Sequence, residues 1–100
     1  MKSSFRLNDS VADDLDGVWN FIAADDPLAA DAFIDELFDV FERLSQNPRI
    51  GRQRDDLSPG LRGFPHGSYM ILYHIKYETI EIDRVIHGAR NLYAIFHPDN

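Results

Sequence analysis

The stretch from Gly60 to Arg90, GLRGFPHGSYMILYHIKYETIEIDRVIHGAR, decides the fold. Two runs in it keep a period of two, Tyr69-Ile71-Tyr73-Ile75 and Ile80-Ile82-Arg84-Ile86, and the four residues from Lys76 to Thr79 join them. A period of two sets alternate side chains on one face of a strand, and a short polar connection closes two such strands into a hairpin. The earlier run Leu61 to Phe64 is tied to the hairpin by Pro65-His66-Gly67, which predicts three consecutive antiparallel strands. Everything upstream then has to cover one face of that sheet.

Working outward, Phe5 and Leu7 flank Arg6 in an alternating run that predicts a further strand. Asp9 and Ser10 supply capping oxygens, and Val11, Leu15, Val18, Trp19 and Ile22 follow at helical spacing, with Trp19 read as core. This first helix runs to about Ala24. Asn8-Asp9-Ser10 also has the form of a glycosylation acceptor, but without a secretory signal it reads as a helix cap. Asp25-Asp26-Pro27 closes one helix and opens the next, because Asp caps and Pro suits the first helical position. The second helix carries Phe33, Ile34, Leu37, Phe38, Val40, Phe41 and Leu44, a stripe wider than one seam requires. Two readings of that stripe stand: all of it is core, or part of it, with Phe38 and Phe41, awaits a partner.

Asn47-Pro48 ends the second helix. From Arg49 to Pro59 no period appears, so this segment reads as a long connection, with Arg49, Arg52 and Arg54 beside Asp55-Asp56 and with Arg62 soon after. It is either a self-paired solvated loop or a recognition surface. After the hairpin, Leu92, Tyr93, Ile95 and Phe96 form an apolar cluster of one or two helical turns. The prediction is one α+β domain over residues 1–100, ordered β-α-α-β-β-β with a short final helix, its helical hairpin packed on a small antiparallel-rich sheet.

Composition bounds the function. With 44% hydrophobic residues and 12% aromatic, the chain lies outside the disordered range despite its net charge of −7. Residues 1–47 hold three basic against eleven acidic side chains, and residues 48–100 hold seven against six. An acidic helical half repels a phosphate backbone, which disfavours direct nucleic-acid binding. With no cysteine, disulfides, thiol catalysis and thiolate metal sites are excluded. His66, His74, His87 and His97 lack metal-ligand spacing, so no metal or cofactor is expected. No signal peptide or membrane span appears, and the expected location is cytoplasmic.

Asp25-Asp26-Pro27, Asn47-Pro48-Arg49-Ile50-Gly51-Arg52, Arg54-Asp55-Asp56-Leu57, Pro59-Gly60-Leu61-Arg62, Phe64-Pro65, Tyr69, Tyr73 and the run Arg84 to Leu92, RVIHGARNL, occur together in this order. This combination resembles the ParE branch of the RelE/ParE toxins over nearly the whole chain. The resemblance implies a β-α-α-β-β-β fold and the toxin of a type II toxin-antitoxin pair, held inactive in a hetero-oligomer by a ParD-like antitoxin. ParE-type members are known as inhibitors of DNA gyrase that block replication, whereas RelE-type members cleave mRNA on the ribosome. Fold does not choose between them.

A ribonuclease site would draw on Arg62, Arg84, His87, Arg90 and Tyr93, since activating a 2′-hydroxyl and neutralising a phosphate takes converging cationic and titratable groups. Relatives with that activity tend to carry an Arg two or three residues before the central-strand Tyr; here Met70 stands there, before Tyr73. The expectation is therefore a non-catalytic gyrase inhibitor that uses Arg62, His87, Arg90 and Tyr93 toward its target. Phe38, Phe41, Arg52 and Arg54 are expected to meet the antitoxin. A ribosome-dependent endonuclease and a weakly toxic antitoxin-bound module are the alternatives. Arg84 is expected to find an acidic partner, and His87 to fix the turn that follows it.

Overall fold

In the computed structural model, which describes residues 5–76 and 78–99, β1 (Phe5–Leu7) leads directly into α1 (Asp9–Ala23). Asn8 is the cap: its side-chain oxygen accepts the Ser10 N–H at 3.1 Å, satisfying one of the helix's unpaired donors. The second helix, α2 (Pro27–Gln46), opens as expected, with Asp26 accepting the N–H groups of Leu28 and Ala29 and Pro27 in the first turn. It ends at Asn47, whose backbone N–H returns to the Arg43 carbonyl.

The remaining elements are β2 (Arg52–Gln53), β3 (Leu61–His66), β4 (Tyr69–Lys76), β5 (Thr79–His87) and α3 (Leu92–Phe96). The sheet order is β1-β5-β4-β3-β2, antiparallel except for β1, which runs parallel to β5. The three central strands pair as predicted. Gly67, at φ 57°, makes the β3–β4 turn in a conformation that side chains disfavour. The hairpin connection differs from the expected four residues: Lys76 pairs with Thr79, so two residues, 77 and 78, join the strands. Tyr77 lies outside the described residues. The segment read as a loop after α2 contains a strand, β2, which pairs with Gly63 and Arg62.

One face of the sheet receives both helices. Leu37, Phe41, Leu44, Val11 and Val18 meet Ile71, Tyr73, Ile80, Ile82 and Val85 there. Full burial of a side chain such as Leu37 or Phe41 contributes about 1.5–3 kcal/mol. The opposite face carries Leu57, Leu61, Leu72 and Ile86 under Leu92, Ile95 and Phe96 of α3. Leu72 pairs with Arg84 but Tyr73 pairs with Ile82, which leaves Asp83 as an extra residue, a bulge. Ile86 therefore packs on the face opposite Ile80 and Ile82, correcting the single alternating face read across all of β5. Trp19 is corrected too: it is 37% exposed, and its indole N–H reaches Asp31 at 2.8 Å.

Candidate functional site

Tyr73 anchors the basic side of the sheet. It is fully buried, and its hydroxyl donates to the Pro48 carbonyl at 2.7 Å and accepts the Gly51 N–H at 2.9 Å. Burial pushes this phenol up, against the opposing hydrogen bond from Gly51. Beside it, Arg62 donates one guanidinium nitrogen to the carbonyls of Gly51, at 2.7 Å, and Arg49, at 3.2 Å. Arg62 thus holds the backbone leaving α2, in addition to whatever it offers a target.

Arg84 has the acidic partner expected of it. Its Nε and Nη2 meet the two oxygens of Asp14 at 2.8 and 3.0 Å, a bidentate pair that raises the Arg84 pKa. Asp14 also accepts the Val85 N–H at 2.9 Å. His87 fixes its turn, as expected: Nδ1 accepts the Ala89 N–H at 3.1 Å. His87 also stands edge-on to Tyr69.

His87 and Arg90 line one groove of about 390 Å³ between α1 and the end of β5, together with Asp13, Gly17, Phe21 and Val85. Tyr93, 52% exposed on α3, stacks on His97. Of the five residues considered for a ribonuclease, Arg62 on β3 turns to backbone carbonyls, Arg84 is tied to Asp14, which itself lines the groove, and His87 and Arg90 share that groove. Met70 lies on β4 between Pro65 and Ile86 and packs in the apolar cluster under α3.

The four residues expected to meet an antitoxin do not form one surface. Phe41 is 0% exposed and belongs to the core, a correction of the expectation that it offers surplus surface. Phe38, 37% exposed, sits beside it against Phe5 of β1. Arg52 and Arg54 lie at the far edge of the sheet, where Arg54 pairs with Asp56 at 2.9 Å. A partner touching Phe38 and Arg52 together must wrap the molecule.

Sequence reasoning missed a further polar cluster. His74 Nδ1 meets the Asp83 carboxylate at the bulge, and its Nε2 meets the Pro59 carbonyl at 3.2 Å. Burial pushes the Asp83 carboxyl up, with the His74 hydrogen bond opposing. The only sequence signal for this pairing was that both residues sit on adjacent strands. Among the described residues, no group of three His, Asp or Glu side chains is placed to hold a metal ion, and no helix is long and apolar enough to cross a membrane.

This architecture, a helical hairpin on a five-stranded sheet closed by a short helix, is that of a known class of toxin. A solved structure described as the chromosomal ParDE TA system from P. aeruginosa has the same fold, with a TM-score of 0.70 over 85% of this chain and 95% of that one, at 20% identity. The family model described as "ParE toxin of type II toxin-antitoxin system, parDE" matches residues 5–92, and the chain belongs to that family. Toxin ParE3 of Caulobacter vibrioides is 39% identical over 85 residues, covering 84% of this chain and 85% of the relative. Toxin ParE1 of Mycobacterium tuberculosis is 39% identical over 59 residues, covering 58% and 60%.

Proposed function

We propose that this ParE-family chain acts in the cytoplasm by binding and inhibiting DNA gyrase, and that a ParD-like antitoxin neutralises it. The observation that carries the choice of gyrase over mRNA is the engagement of the cationic groups. Arg84 is neutralised by Asp14, one guanidinium nitrogen of Arg62 is held by two carbonyls, and Met70 presents a thioether to an apolar cluster. Stabilising a pentacoordinate phosphate takes uncommitted positive charge converging on one point. What remains near one end of the sheet is exposed Arg90 and Tyr93 with the half-buried imidazole of His87, the residues this reading assigns to contact with the target.

The test is a supercoiling and DNA-cleavage assay with antitoxin-free protein, beside a translation reaction on the same preparation. Lost supercoiling or accumulated cleaved DNA, with translation undisturbed, is the expected result. Normal supercoiling in excess protein, with mRNA cut at codon positions, would overturn the reading.

The wrapping demanded by the separation of Phe38 from Arg52 and Arg54 supports an antitoxin with an extended or helical arm. Phe38→Asp places a charge beside Phe5 and Phe41, and coexpression with the antitoxin is expected to yield at least tenfold less complex. A pull-down that recovers as much complex as the unaltered protein removes Phe38 from the interface.

A further inference from the structure

We infer that His87 is a positioning residue: its Nδ1, together with the Ser68 carbonyl, holds the turn after β5 in the one conformation that presents Arg90 to the target. This rests on the gyrase reading above and divides its set of residues, giving the contact to Arg90 and the geometry to His87.

The first observation is how completely the turn is bonded. Gly88 N–H donates to the Ser68 carbonyl at 2.7 Å, Ala89 N–H to His87 Nδ1 at 3.1 Å, and Arg90 N–H to the His87 carbonyl at 3.0 Å. Every backbone donor from Gly88 to Arg90 is thus taken within the chain. Residues 88–91 are exposed and belong to neither apolar cluster, so core packing does not dictate this order. Nor does α3 need the imidazole, because Asn91 caps it through the Ala94 N–H and Leu92, Ile95 and Phe96 seat it on the sheet. Bonding an exposed turn in this way removes backbone freedom before binding, which lowers the entropy lost when a partner arrives.

The second observation is what the turn carries. Arg90 is exposed at the rim of the groove, and among the described residues its guanidinium has no hydrogen bond or ion pair. Asp14, which lines the same groove, is already occupied by Arg84 and the Val85 N–H. Arg90 is therefore the uncommitted arginine at this end of the sheet. A guanidinium makes directional, planar contacts, so its value to a partner depends on where the backbone holds it.

The third observation is how the imidazole is held. His87 stands opposite Tyr69 on β4, edge-on with ring centroids 5.2 Å apart, and Tyr69 is backed by Phe33 of α2 at 5.6 Å. This packing keeps Nδ1 on the Ala89 N–H. The turn in turn rests on its neighbour: Ser68 follows Gly67, whose φ of 57° shapes the β3–β4 connection, and a Cβ at Gly88 would come within 3.3 Å of the Ser68 carbonyl oxygen. Glycine at 88 permits that approach.

The experiment measures gyrase supercoiling against the antitoxin-free unaltered protein and the variants Arg90→Ala, His87→Ala, His87→Asn, His87→Gln and His87→Ala with Arg90→Ala, with amide exchange at Ala89 followed in each. Asparagine bonds the N–H two residues on and so replaces Nδ1, whereas the longer glutamine carries its amide toward the place of Nε2. Arg90→Ala is expected to raise the half-inhibitory concentration at least tenfold, as loss of an arginine central to a contact does. His87→Ala and His87→Gln should approach that loss and speed Ala89 exchange, while His87→Asn should recover inhibition to within about threefold and restore protection. The double variant should be no weaker than Arg90→Ala, because His87 acts through Arg90. Retention by His87→Gln with loss in His87→Asn would show that Nε2 touches the target, and a double variant whose loss is the product of the single losses would show independent contacts; either result overturns the inference. Full inhibition by Arg90→Ala overturns it too. If the unaltered protein leaves supercoiling intact, the gyrase reading itself fails and this inference falls with it.

Discussion

Asp14→Ala is expected to lower the unfolding free energy by about 2–3 kcal/mol, because it strands two groups at once. The carboxylate holds Arg84 through two hydrogen bonds and takes the Val85 N–H with one of the same oxygens. The Asp14 side chain is 11% exposed and that of Arg84 29%, so water replaces the lost partner poorly. At about 4–8 °C per kcal/mol for a domain of this size, the melting temperature should fall by roughly 10–20 °C. Asp14→Asn keeps an acceptor for Val85 and loses the charge, and about half that loss is expected. Asp14→Ala combined with Arg84→Met should recover part of the stability, since an unpaired charge costs more than an absent pair. A loss below about 0.5 kcal/mol for Asp14→Ala in urea melts would class the pair with ordinary surface ion pairs and sink the argument.

That pair also marks where sequence reading stops. An acidic partner for Arg84 was readable in kind, from an arginine set in an apolar strand, but its identity depends on how α1 lies along β5, seventy residues away in the chain. The hairpin was legible because its strands run for eight and nine residues, long enough for alternation to show on both sides of the bulge. Strand β2 was not, since two residues carry no period. The bulge at Asp83 was hidden for a different reason: one extra residue shifts every later side chain to the other face without changing composition. Trp19 falls at helical spacing with the core residues, yet it lies at the margin of the α1–α2 seam, where its N–H can reach Asp31. The width of the α2 stripe, which suggested surplus surface at Phe41, is accounted for by Phe5, because β1 adds a third aromatic against Phe38 and Phe41. Of the candidate site, His87 fixing its turn was foreseen. The engagement of Arg62 with carbonyls was not, because backbone acceptors leave no trace in a pattern of side chains.

Those carbonyls depend on Gly51, and Gly51→Ala is expected to be the most damaging single-methyl change in the molecule. A Cβ there would stand 2.3 Å from the Tyr73 hydroxyl, 2.7 Å from its Cε1 and 2.8 Å from its Cζ. Tyr73 is fully buried in the central strand and cannot retreat, so the segment carrying Gly51 must move. Moving it breaks the hydroxyl's bond to the Gly51 N–H and pulls the Gly51 carbonyl from Arg62. Overpacking and the lost hydrogen bonds together should cost about 3 kcal/mol or more. Tyr73→Phe alone removes the hydroxyl, leaves the Pro48 carbonyl and Gly51 N–H without it, and should cost about 1–2 kcal/mol. The double substitution separates clash from hydrogen bonding. Removing the hydroxyl relieves the 2.3 Å contact but not those to the ring, so the double variant should be more stable than additivity predicts, by about 1 kcal/mol, and still less stable than Tyr73→Phe. Strict additivity in paired denaturant melts would mean that the backbone at Gly51 shifts freely, and that Tyr73 does not anchor the chain between α2 and β2.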